Sequence, residues 1–153
     1  MADYYTQTCF KLTASEKEIA LLLELDRYDE EDPDTVTPTA GFLLVFPPTG
    51  SHPLSGYLDY IEKEGQVHSP SFTHSLKQRD GEWYLADADM YLGYVSAILA
   101  KVCTSAFPIR FTWACVCSSM REDEFGGGVT IIDANGVSGW STLDAIEEWR
   151  PAA

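Results

Sequence analysis

Seven carboxylates and one arginine crowd the eleven residues from Glu24 to Asp34. Packed carboxylates repel one another, so such a run is either a well-solvated helix end or a surface that a cationic partner selects. Asp26, Asp29, Glu30, Glu31, Asp32 and Asp34 are the candidate docking residues, and Glu122, Asp123 and Glu124 form a second candidate patch. The run lacks the alternating ligand order of an EF-hand loop, which argues against calcium. Cys115-Val-Cys117 places two thiols on one face of a strand. Structural zinc uses a spacing of two to four between paired ligands and needs a second pair, so no metal and no cofactor are expected. His52, His68 and His74 could join a site only through the fold. The serines lack a Gly-x-Ser-x-Gly elbow, and pairs such as Asp87/Asp89 or Glu122/Glu124 are too common here to mark acid–base work. Phe125-Gly126-Gly127-Gly128 could expose amides to a phosphate. It follows Arg121-Glu-Asp-Glu124, which repels anions, and lacks the Lys-Ser/Thr of a phosphate loop; a wide turn or bulge with positive φ is the reading adopted.

The whole chain is consistent with that emphasis. Its 24 acidic and 10 basic residues leave a formal charge of -14 and a pI near 4.3. This sign opposes direct nucleic-acid binding, which depends on neutralising phosphates with Lys and Arg, and equally opposes an anionic membrane surface. It suits a basic protein or nucleoprotein complex. No apolar stretch approaches the roughly 20 residues of a membrane span, and Met1-Ala-Asp-Tyr-Tyr5 has no signal-peptide pattern. Cys9, Cys103, Cys115 and Cys117 do not have the spacing of a stapled secreted domain, so reduced thiols and a cytoplasmic location are expected. With 45% hydrophobic residues over 153 positions, one domain with a true core is expected across 1–153, with a variable middle near 47–70.

The elements that must position these residues are read from periodicity. Tyr4 to Leu12 reads as a strand. Thr13-Ala-Ser-Glu16 matches a capping box ahead of a helix carrying Ile19, Leu22 and Leu23, which frays near Glu30 and is closed by Pro33. Gly41 to Phe46 reads as a buried strand, Leu54 to Lys63 as a short helix. Phe72–Gln78 and Glu82–Ala86 read as strands joined at Asp80-Gly81, a hairpin signal. Asp87 or Asp89 is expected to cap a second helix reaching about Thr104. Ile109 to Val116 alternates as a strand, Val129 to Asp133 is another, Asn135-Gly136 marks a tight turn, and Ser141 or Thr142 caps a last short helix. The sum is α+β: a mostly antiparallel sheet with two main helices packed on one face.

Tyr4-Tyr5-Thr6-Gln7, with Phe111-Thr-Trp-Ala-Cys115 and Arg121 through Gly128, resembles small acidic proteins carried by phages, plasmids and integrative elements. That resemblance implies an anti-CRISPR or other anti-defence protein of the bacterial host cell. Such a protein is a non-enzymatic inhibitor using nucleic-acid mimicry against a basic nucleic-acid-binding complex. Two other readings stay open: a small hydrolase or transferase with its site near the glycine loop, and an immunity-type protein neutralising a basic toxin.

Overall fold

The computed structural model describes residues 3–29, 31–32, 34–119 and 125–149. The chain runs β1 (Tyr4–Lys11), α1 (Glu16–Asp26), α2 (Ala40–Val45), α3 (Ser55–Lys63), α4 (Phe72–Ser75), β2 (Leu76–Arg79), β3 (Glu82–Asp87), α5 (Leu92–Val102), β4 (Ile109–Cys117), β5 (Gly126–Asp133), β6 (Gly136–Ser141) and α6 (Thr142–Glu148). The six strands form one sheet in the order β2-β3-β1-β4-β5-β6, and every adjacent pair is antiparallel. The two long helices α1 and α5 lie with α2, α3 and α4 over one face, so the architecture is the expected α+β.

Strand alternation decides which face is covered. Phe111 and Ile109 of β4, Ile132 of β5 and Leu85 of β3 point inward and are nearly solvent-free. They meet Leu22 and Leu25 of α1 and Ile98 and Leu99 of α5 in one core cluster. Phe10 of β1 stacks flat on Phe111, with centroids 4.3 Å apart. The opposite face shows Gln7, Cys9, Arg110, Thr112 and Ala114 to solvent. The β2–β3 hairpin turns at Asp80-Gly81, both with positive φ (53° and 78°), the backbone that favours glycine and tolerates aspartate.

Several local expectations are corrected. Gly41–Phe46 is not a strand; Ala40–Val45 is helix α2, and the Thr39 hydroxyl accepts the Phe42 amide at its start. A short apolar run carries no period that separates the two states, and the N-cap threonine was the overlooked cue. Two overlapping capping boxes precede α1, and the chain uses the later one. Ser15, not Thr13, accepts the Glu18 amide while Glu18 accepts the Ser15 amide. Leu12 holds the preceding residues extended by donating to the Trp83 carbonyl. α1 stops at Asp26, before Glu30. Phe72–Ser75 turns as helix α4 before β2 begins at Leu76. Neither Asp87 nor Asp89 caps α5; Tyr91 is its N-cap, without a side-chain bond. Gly126–Gly128 extends β5 backward rather than forming a wide turn, and β6, which the sequence reading lacked, pairs with β5 after the Asn135-Gly136 turn. Ser141 does cap α6, in a box with Asp144.

Candidate functional site

The acidic run divides into carboxylates that hold the fold and carboxylates that face water. Glu24, on the last turns of α1, is 7% exposed. It accepts from the Tyr28 hydroxyl at 2.5 Å, the Thr39 hydroxyl at 2.6 Å and the Thr39 amide at 3.2 Å. One carboxylate thus ties the end of α1 to the residue that caps α2. Burial, and then this carboxylate, push the Tyr28 hydroxyl well above its usual pKa. Asp26 turns the other way. Its two oxygens accept the Phe72 amide at 3.1 Å and the Thr73 amide, which are free donors at the start of α4. Ser71, the α4 N-cap, makes no side-chain cap bond, so an aspartate from another element supplies the cap.

Asp32 shapes its own turn: its carboxylate accepts the Asp34 amide at 3.0 Å, and its carbonyl accepts the Thr35 amide at 2.9 Å. Asp29, Glu31, Asp32 and Asp34 are exposed. Among the described residues no Lys or Arg lies within ion-pair distance of these four, whereas Lys11 and Glu82 pair at 2.5 Å on the open sheet face. Of the predicted docking residues, the structure therefore brings Asp29, Glu31, Asp32 and Asp34 onto one surface loop and assigns Asp26 to α4. Glu30, Glu122, Asp123 and Glu124 lie outside the described residues.

Behind Asp29 sits a buried chain of polar rings. Tyr57 of α3 and Tyr94 of α5 are 0% and 2% exposed. Their hydroxyls meet at 2.6 Å, and the Tyr57 oxygen is 2.5 Å from Nδ1 of His68. Nε2 of His68 stands 3.6 Å from an Asp29 oxygen and makes no hydrogen bond among the described residues. A proton on Nε2 suits that carboxylate; Nδ1 then accepts from Tyr57, which in turn accepts from Tyr94. Burial lowers the His68 pKa, and Asp29 and Asp26 offset only part of the effect, so the ring is neutral near pH 7. Among the described residues no serine hydroxyl or cysteine thiol hydrogen-bonds to His68. The arrangement fits a structural joint between α3, α5 and the acidic loop.

The remaining candidates are scattered. Cys9 is exposed, Cys103 is buried, and Cys115 and Cys117 are half-buried and unpaired; Cys115 Sγ lies 3.9 Å from the Thr6 hydroxyl. Burial pushes the Cys103 thiol well up from its usual pKa, keeping it protonated and unreactive. Among the described residues no three His, Cys, Asp or Glu side chains gather closely enough to hold a metal ion. Gly126–Gly128 is paired to β4 on one side, and Gly128 also to β6 on the other. The glycines answer a packing need: a Cβ on Gly128 would stand 2.5 Å from the Trp113 indole and 2.7 Å from the Trp140 carbonyl oxygen.

Sequence reasoning missed the Glu24 clamp, the Tyr57–Tyr94–His68 chain and a second buried carboxylate, Glu18. Burial alone would raise the Glu18 pKa, but the Ser105 hydroxyl, the Ser15 and Ser105 amides and the Ser15 hydroxyl together hold it below the usual range. Only the Ser15–Glu18 spacing announced any of this. Among the described residues no helix is long and apolar enough to cross a membrane. No family model, curated protein or solved structure matches the chain.

Proposed function

We propose that this chain is a non-enzymatic acidic binding protein that docks onto a basic, nucleic-acid-binding partner and occupies the groove where that partner holds phosphates. Asp29, Glu31, Asp32 and Asp34 are the contact residues. The observation that carries the reading is their state: exposed, adjacent, and among the described residues without a Lys or Arg beside them, while Glu24 and Asp26 from the same run are consumed internally. Unneutralised carboxylates on one loop steer a cationic surface toward it and raise the association rate. An inhibitor role in the bacterial cytoplasm, of the anti-defence kind that the sequence resemblance implies, is the setting in which such mimicry is useful.

The test is capture of a basic nucleic-acid-binding complex from bacterial lysate, with duplex DNA as competitor. Retention at about 50 mM salt and release by about 300 mM is expected, because screening shortens from about 10 Å at 0.1 M as salt rises. The double variant Glu31→Lys, Asp34→Lys spares the structural carboxylates, Asp29 beside His68 included, and should lose the partner while melting like the parent. Undiminished low-salt capture by that variant would refute the proposal.

A further inference from the structure

Beyond the acidic loop, the helix-covered side of the sheet holds two adjoining depressions of about 540 and 680 Å³. Trp113 and Ser141 line both. The first is walled by the small-residue side of α5 (Gly93, Ser96, Ala97 and Ala100), by the end of α3 with Gln66, and by β5 and β6. Its size is that of a site for a small organic molecule.

Three observations bear on what it holds. Ser96 is 3% exposed and its hydroxyl has no hydrogen-bond partner among the described residues. A buried hydroxyl left unpaired is costly, and here it lies in the wall of a cavity. The indole of Trp113 is fixed, because Nε1 donates to the Thr130 hydroxyl at 3.1 Å and the ring lies against Gly128, where a Cβ would collide. A rigid indole offers a flat apolar wall and a negative π face. Finally, the charged lining residues among those described are all acidic: Glu64 and Asp144 in the first depression, Asp89 in the second. Among the described residues no Lys or Arg lines either one; Lys101 stands outside, over the Tyr60 ring at 5.4 Å. Phosphates and carboxylates are therefore disfavoured, and cations favoured.

We infer that the first cavity binds a small organic cation with an apolar body, an arylalkylamine in chemical class. The body lies against Trp113 and the α5 alanines, Ser96 supplies a hydrogen bond, and Glu64 and Asp144 balance the charge. This site is separate from the Asp29–Asp34 loop and does not depend on it.

Phenethylamine and 3-phenylpropionate, alike in body and opposite in charge, test the inference by calorimetric titration of the full chain and by the Trp113 indole N–H resonance. Saturable phenethylamine binding about tenfold tighter than phenylpropionate is expected, with a shift of that resonance. Glu64→Gln should remove most of the charge preference, and Ser96→Ala should weaken the amine several-fold. Ala100→Leu fills the cavity and should abolish binding. A chain of charge -14 attracts any cation weakly, so unchanged amine binding in Ala100→Leu would overturn the inference. So would equal binding of the two probes, or a Trp113 resonance that does not move in the parent protein, a readout needing no variant.

Discussion

Replacing Glu24 with alanine separates two views of the acidic run. If the run is only a crowd of like charges, removing one relieves repulsion and stabilises the fold slightly. If Glu24 is the clamp described above, its loss breaks three hydrogen bonds at 2.5, 2.6 and 3.2 Å. Tyr28 is 4% exposed, so its hydroxyl is left buried and unmatched, at a cost of about 2 kcal/mol. Thr39 is exposed and water can replace the carboxylate there, leaving about 1 kcal/mol. The total is about 3 kcal/mol, or roughly 6–12 °C in Tm for a chain of this length. Tyr28→Phe, which removes one partner without an orphan, should cost about 1 kcal/mol. Asp34→Ala removes the same charge from an exposed position and should stay within about 0.5 kcal/mol of the parent. Urea unfolding followed by circular dichroism reads all three. Glu24→Ala at or above the parent's stability would refute the clamp.

Two further outcomes follow from packing and titration. Gly128→Ala drives a Cβ against the Trp113 ring and a backbone carbonyl, of which only the ring can shift; a loss of about 1–3 kcal/mol and altered tryptophan fluorescence are expected, and a silent substitution would contradict the packing. His68 has a pKa lowered by burial, so the folded state binds its proton less readily than the unfolded chain. Stability is then full above the ordinary histidine range, near about 6.5, and declines as pH falls below it; His68→Gln should flatten that slope, measured by denaturant midpoints from about pH 7.5 to 5.

The sheet was legible because its signals are local. The alternation of Ile109, Phe111, Trp113 and Cys115 assigns a face, and Asp80-Gly81 and Asn135-Gly136 each mark a turn that exists. The failures arise where distance decides. Gly41–Phe46 has no period of its own, and its helical state depends on Thr39, which Glu24 orients from fifteen residues away. Glycines 126–128 look like a loop until Trp113 of the neighbouring strand is known to need the space. The same limit applies to the candidate site. Seven carboxylates look equivalent in the sequence, but Asp26 is consumed by amides 46 and 47 positions away. No pattern within the run separates it from Asp29 or Asp34.

β1 comes first in the chain and yet lies in the interior of the sheet. Its partners are residues 84–87 on one side and 114–117 on the other. During synthesis its backbone therefore leaves the ribosome about a hundred residues before its second neighbour exists. Until β4 emerges, Tyr4 to Gln7 present bare amides and carbonyls beside apolar rings, the kind of edge that recruits a stray strand. Pairings this remote in sequence also slow folding. A growing chain of this protein thus has a long interval in which β1 is open to pairing with the wrong strand.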